Sequence, residues 1–279
     1  MTATDTVATE IAQSRRRGRR PWWANVVKQI LSVLGFGLAV VLLLQLLTVT
    51  GVISPFVLPR PTLVLERFWE LLVEVFTGGP TLRYVGETAF AMVVSLVVSV
   101  VLGILIGTIL SLSTIVKTMV YPYVLALNAA PRVVFAPMFV IWFGLGPTSR
   151  IVMGVSIAMF PVIVATLAGL SRSDANLERL MKATGATRLQ RFLKVDLPGA
   201  LPFVAAGAET AAVLVTVGVN IGEFTSGSSG LGYLIVSAQA TYNLPSVFAL
   251  VMLTSVLGIL MTLTVAFVSR RVVFWGRRS

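Results

Sequence analysis

The chain has no cysteine and no histidine. The first absence excludes disulfides, thiol nucleophiles and thiolate metal sites. The second removes the side chain that most often moves protons near neutral pH, and the commonest metal ligand. Charge is also scarce. Only 12% of the 279 residues are Asp, Glu, Lys or Arg, against about a quarter in a soluble domain. No Gly-x-x-x-x-Gly-Lys-Ser/Thr loop occurs, so no phosphate cradle for ATP is visible. There is no Gly-x-Ser-x-Gly and no acidic pair within the apolar runs suited to general acid–base work. An intramembrane enzyme is therefore disfavoured, and no cofactor or metal site is expected in this chain.

What fills the sequence is hydrophobic: 56% of residues, with a mean hydropathy of +0.92. Apolar runs of about 20 residues are the length a bilayer demands of a helix. Six are expected, near 30–49, 88–112, 118–143, 151–170, 200–221 and 246–269. The basic start, with Arg15, Arg16, Arg17, Arg19 and Arg20, resembles a signal peptide, but no small-residue cleavage site follows it. The first run is read as a retained span. The division expected is a basic arm (1–28), a six-span domain (29–270) and a basic tail (271–279).

The net charge of +11 could suggest nucleic acid, but the basic residues cluster at the termini and in loops. With six spans, the arm, Lys117, the 171–198 interval and Arg270, Arg271, Arg277 and Arg278 share one side. The opposite loops hold Arg60, Arg67, Arg83 and Arg150, with Glu66, Glu70, Glu74 and Glu87 offsetting the first three. Lys and Arg mark the cytoplasmic side, so both termini are expected inside the cell. Between the first two runs, 62–76 has helical periodicity with Leu63, Phe68, Leu71, Leu72 and Val75 largely on one side. It is too short and charged to span, and should lie on the outer face.

Three features carry candidate function. The third run is interrupted by Pro122, Pro131 and Pro137 and contains Asn128 and Arg132. Prolines and polar groups at membrane depth are tolerated where a broken helix faces protein or a watery cavity. Arg132 could offer charge-assisted hydrogen bonds to an anion, or could serve a structural pair. At the end of the fifth run, Asn220 and Glu223 precede a Gly- and Ser-rich segment containing Gly230 and Gly232. Gating or simple capping of that turn are both open. Glu209, earlier in that run, is expected to pair with a loop arginine. The third feature is the polar interval 176–202. It reads as a short helix, a turn at Gly185, a second short helix and a proline stop. Alone, it fits either a solvated positive loop or a docking element.

This interval resembles the cytoplasmic loop of bacterial ABC importer permeases, carried by Gly185, Ala186, Val195, Leu197, Pro198, Pro202 and Gly207. The resemblance extends through LPRPTLVLERF (58–68), PRVVFAPMFVIWFGLG (131–146), FPVIVATLAGL (160–170) and GEFTSGSSGLGYLI (222–235), which look like the nitrate/sulfonate/taurine branch. One departure stands out: Arg179, Leu180 and Met181 occupy the place of the usual Glu-Ala-Ala. The resemblance implies an all-α type I permease with coupling helices in 176–198 and an outer amphipathic helix, in the bacterial inner membrane. It implies contacts from Glu178, Lys182, Gly185, Ala186, Arg188, Arg191, Phe192 and Leu193 to ATP-binding subunits that bind ATP and Mg. It implies a pathway or gate near Asn128, Arg132, Asn220, Glu223, Gly230 and Gly232. Further expected partners are a second permease copy, an extracytoplasmic binding protein and membrane lipid, but no nucleic acid. The expected substrate is a small organic or inorganic anion. A secondary transporter driven by an ion gradient is the alternative, but internal repeats and midplane carboxylates are not evident. A membrane scaffold that recruits a cytoplasmic partner is another.

Overall fold

A computed structural model describes residues 22–172 and 175–273. The arm through residue 21, the tail from 274 and the side chains of Glu178 and Lys182 lie outside the described set. All regular structure among the described residues is helical: α1 (Trp22–Val49), α2 (Pro61–Phe76), α3 (Pro80–Leu112), α4 (Thr114–Ala129), α5 (Ala136–Phe143), α6 (Pro147–Leu170), α7 (Ala175–Ala183), α8 (Arg188–Arg191), α9 (Leu197–Ser226), α10 (Leu231–Ala240) and α11 (Leu244–Val272). A 3₁₀ turn (Arg132–Phe135) precedes α5, and a π turn (Phe192–Asp196) joins α8 to α9.

The chain divides into two compact units, 1–63 and 64–279. In the first, α1 is followed by a loop in which the Gln45 side chain contacts Thr62, donating to its hydroxyl (3.4 Å) and accepting from its backbone N–H (3.3 Å). In the second, α9 packs along α6, and α6 along α3. Small residues permit these approaches. A methyl group on Gly103 would stand 2.5 Å from Val162 Cβ, and one on Gly107 would stand 2.7 Å from Thr166 Cβ. The Gly103/Gly107 pair therefore lays α3 against α6, the use to which small residues at this spacing are suited.

Among the described residues, four helices are long and apolar enough to cross a membrane: α3, α6, α11 and the continuous helical run Arg188–Ser226. They become five if α4 and the Arg132–Phe143 segment, bent by 83°, form one broken span. The expected first span falls in α1, whose described apolar stretch Gly35–Val49 is shorter than the others. The broken third run occurs as expected. The bend is at Ala130–Pro131, whereas Pro122 is carried inside α4.

One expectation is corrected. Pro198 and Pro202 do not end the second helix of the 176–202 interval, which runs on into α9. Pro198 lies in the first turn of α9, where a missing N–H is tolerated. The π turn accommodates the join, with the Leu197 N–H reaching back to the Phe192 carbonyl. The second helix of the interval and the following span are thus one continuous helical run, Arg188–Ser226.

The amphipathic reading of α2 holds with a shifted face. Val64 and Leu71 are buried against Leu231, Ile235, Ala249, Leu250 and Leu253 of α10 and α11, whereas Leu63 is exposed. Arg67 fixes the contact by donating from Nε to the Ser246 hydroxyl at 3.2 Å, while its Nη1 pairs with Glu70 at 2.6 Å.

Candidate functional site

Three clusters hold the sequence-derived candidates. The first surrounds Glu223, which is fully buried near the end of α9. Its Oε1 accepts from the Thr88 hydroxyl at 2.8 Å, and its Oε2 from the Gly232 N–H at 2.7 Å. Arg150 Nη1 stands 3.6 Å from Oε1 and also donates to the Ser229 carbonyl at 3.0 Å. Thr88 in turn accepts from the Leu231 N–H at 2.8 Å. One carboxylate thereby ties α3, α6, α9 and the start of α10 together. The turn must come close to do so: a methyl group on Gly230 would overlap Glu223 Oε1, and Gly230 has φ +94, where side chains are strained. Gly230 and Gly232 are brought together with Glu223, as the sequence suggested.

Arg150 and Thr88 were not singled out from sequence. Arg150 counts there only as one more outer-loop charge, yet its side chain is 4% exposed. The available signal was its isolation: it is the opposite-side arginine with no neighbouring glutamate in sequence. Asn220 sits one turn before Glu223 on α9, outside the knot. Its Oδ1 is buried without a hydrogen-bond partner among the described residues. Glu209 is half-buried, and no ion pair to it occurs among the described residues, so the expected arginine partner is not found.

The second cluster is the break between α4 and α5. Pro161, inside α6, has no N–H, so the Ile157 carbonyl lacks its usual donor one turn on. Arg132 Nη1 supplies that donor at 2.8 Å. Its Nη2 donates to the Asn128 carbonyl at 2.8 Å and to the Asn128 side-chain oxygen, closing the C-terminal end of α4. The guanidinium lies 4.3 Å from the centroid of the Phe160 ring. Arg132 therefore staples the broken segment to α6, a partnership invisible to a local reading. Its Nε is buried without an acceptor, and no carboxylate lies within ion-pair distance among the described residues.

The third cluster is the hairpin of α7 and α8. Gly185 has φ +70, and the Ala186 N–H reaches back to the Met181 carbonyl at 3.0 Å, the closure expected where a left-handed residue ends a helix. Thr187 and Gln190 form a reciprocal capping box that starts α8. The Thr-x-x-Gln spacing that makes this box is legible in the sequence. Leu180, Leu189 and Leu193 are exposed, as is Arg188, while Phe192 is half-buried. Phe192, Ala186, Arg188 and Arg191 line a half-polar pocket of about 490 Å³ closed by Ser111, Leu112 and Leu170, at the ends of α3 and α6. Arg191 Nε is 3.4 Å from Asp196. Of the two apolar side chains among the contacts that the resemblance implies, Leu193 is exposed and Phe192 lines this pocket. Leu189 and Leu193, four residues apart, form the exposed apolar pair.

Long apolar helices, a broken span, a buried ion pair at one end and a capped, exposed polar hairpin between two spans define a multi-pass helical membrane protein. The comparisons place it more narrowly. Residues 99–274 match the family described as "Binding-protein-dependent transport system inner membrane component", and the chain belongs to that family. It is 33% identical over 220 residues to the riboflavin transport system permease protein RibX of Chloroflexus aurantiacus, covering 79% of this chain and 81% of that one. It is 30% identical to the formylaminopyrimidine transport permease protein ThiX of Halalkalibacterium halodurans, covering 74% and 81%. It is 28% identical to the taurine transport system permease protein TauC of Escherichia coli, covering 92% and 94%. The fold is similar to a chain in inward-facing structures of the MetNI methionine ABC transporter, with TM-score 0.58 and 24% identity over 68% of this chain and 95% of that one.

The protein is thus the permease subunit of an ABC importer in the inner membrane, a transport component and not a catalyst. ATP-binding subunits and a substrate-binding protein are its partners, and nucleotide is held by the former.

Proposed function

We propose that two copies of this chain face each other around one central path, about twelve spans in all, and import a small anionic solute by alternating access. The α7–α8 hairpin docks in a groove of each ATP-binding subunit, with Leu189 and Leu193 as apolar contacts and Arg188 and Arg191 at the rim. Both termini lie inside the cell, the 29–270 stretch acts as one permease domain, and α2 lies on the outer face. ATP binding draws the two hairpins together, and hydrolysis resets them. Each state is selected by contacts present in it alone.

The observation that carries this reading is the continuity of α8, the π turn and α9. Force delivered to the hairpin reaches the Glu223 knot along one helical run. Glu223 there acts as a latch on the α10 turn. Because Arg150 faces its carboxylate, the latch does not set a bare negative charge against an anionic solute. Arg132, uncompensated by any described carboxylate, favours that solute. The anionic classes include sulfonates such as the one named for TauC; the names of RibX and ThiX add flat nitrogen heterocycles.

Reversing both rim charges, Arg188→Glu with Arg191→Glu, tests the docking. Co-purification of the ATP-binding subunit and ATP-driven uptake into proteoliposomes should both fall by at least about tenfold, a loss of about 1.4 kcal/mol in association. Full retention of both would remove the hairpin from the coupling route. Transport by the purified chain alone on a proton gradient would overturn the ABC mechanism.

A further inference from the structure

The half-polar pocket of about 490 Å³ beside the α7–α8 hairpin combines two kinds of wall. Ser111 and Leu112 are the last two residues of α3, and Leu170 is the last of α6, so the pocket opens at the level where two membrane-length helices end. Leu112 is 72% exposed there. Met181 and Phe192, both half-buried, add apolar wall from the hairpin side. The polar part is cationic where it is open. Arg188 is exposed and the Arg191 side chain is 31% exposed, whereas Asp196, which pairs with Arg191 at 3.4 Å, is withdrawn to 16%. The surrounding 171–198 interval carries six Lys or Arg against three Asp or Glu. The Ser111 hydroxyl donates to the Thr108 carbonyl at 2.7 Å, so it is not free to donate to a ligand.

We propose that this pocket seats the phosphate headgroup of an anionic phospholipid, whose chains run along the ends of α3 and α6. Depth, charge and lining select that occupant together. Guanidinium groups bind phosphate oxygens through charge-assisted hydrogen bonds. Basic pockets between spans at the membrane boundary are suited to lipid headgroups. A free phosphate would answer the two arginines but leave Leu112 and Leu170 uncovered. A zwitterionic lipid would cover the leucines but bring its own cation towards Arg188. The proposal goes beyond the importer reading and needs only the permease's place in a bilayer. Leu189 and Leu193, the apolar contacts of the docking reading, do not line the pocket. A lipid seated there braces the hairpin against α3 and α6, and so makes the coupling element sensitive to the charge of the membrane.

The test uses the full permease in complex with its ATP-binding subunits, reconstituted in nanodiscs of equal parts dioleoylphosphatidylcholine and dioleoylphosphatidylglycerol. The complex is then extracted into detergent, and the lipid retained per permease is counted by mass spectrometry. Phosphatidylglycerol should be retained over phosphatidylcholine by at least roughly threefold. Ser111→Asp, which sets a carboxylate in the pocket wall, should cut retained phosphatidylglycerol roughly three- to tenfold, and Ser111→Asn, nearly the same shape, should not. Met181→Glu against Met181→Gln repeats the comparison from the hairpin wall, in case Ser111→Asp fails to fold. Thr184→Asp places the same charge on an exposed hairpin residue that does not line the pocket, and should change retention by less than about twofold. Equal retention of the two lipids, a loss in Thr184→Asp equal to that in Ser111→Asp, or undiminished retention in both Ser111→Asp and Met181→Glu would each overturn the proposal. Displacement of the retained lipid by millimolar inorganic phosphate would assign the pocket to a free anion and overturn it as well. Co-purification of the ATP-binding subunits and ATP-driven uptake, kept in any of those cases, would leave the importer reading standing.

Discussion

Glu223 and Arg150 concentrate the cost of burying charge in a single contact. Each alone, taken from water into a closed site, would carry a penalty of several kcal/mol; together, with Thr88, the Gly232 N–H and the Ser229 carbonyl, they satisfy one another. Removing one partner should therefore hurt more than removing both. Arg150→Met leaves an unpaired buried carboxylate and should cost about 3–5 kcal/mol, whereas the Arg150→Met/Glu223→Gln double variant should recover a large part of that loss. Thermal midpoints of the four proteins in detergent complete the cycle; additive losses would show that the pair does not act as a unit. Sequence reasoning found Glu223 because an acid at membrane depth is conspicuous. It could not find Thr88, which lies 135 residues away and becomes a partner only through the fold. The same holds for Arg132: its charge was legible, but the carbonyl freed by Pro161 was a second, separate fact that only proximity connects.

At the level of elements, hydropathy and proline placement revealed most of the helices. The four-residue spacing of Gly103 and Gly107 permits a close helix approach but does not say which helix approaches. The structure supplies α6, with the rigid β-branched Val162 opposite Gly103. Gly103→Val should lower stability by about 1–3 kcal/mol, since neither backbone nor Val162 can yield cheaply. Gly86→Ala is the matched contrast within the same helix, because nothing lies within 4 Å of the added methyl. It should be neutral or stabilise by about 0.5–1 kcal/mol through helix propensity. Thermal unfolding of both variants checks the sign difference, and a loss in Gly86→Ala equal to that in Gly103→Val would refute the packing argument. The element that local rules misplaced was the end of α8. A proline after a short helix ordinarily reads as a stop, but the π turn shifts the hydrogen bonding by one residue and carries the helix through. Propensity has no term for that, because the wide turn is stabilised by the join it makes between hairpin and span.

For the whole molecule, the decisive question is which side each loop faces. Between Thr77, after α2, and Thr184, in the hairpin, the chain passes through α3, the broken α4–α5 pair and α6. If the broken pair crosses, there are three crossings and the two threonines lie on opposite sides. If the 83° bend returns the chain to the side it came from, there are two and they share a side. The distribution of Lys and Arg argues for opposite sides, with Thr184 inside. The absence of native cysteine makes this directly measurable, because a single introduced thiol is the only one in the chain. Both threonines are exposed. In intact cells, a membrane-impermeant maleimide should label Thr77→Cys and spare Thr184→Cys, and permeabilisation should expose the latter. Labelling of both in intact cells would make the broken pair re-entrant, and labelling of Thr184→Cys alone would invert the orientation. Either result would move the α7–α8 hairpin to the side away from ATP, and the coupling route through α9 would fall with it.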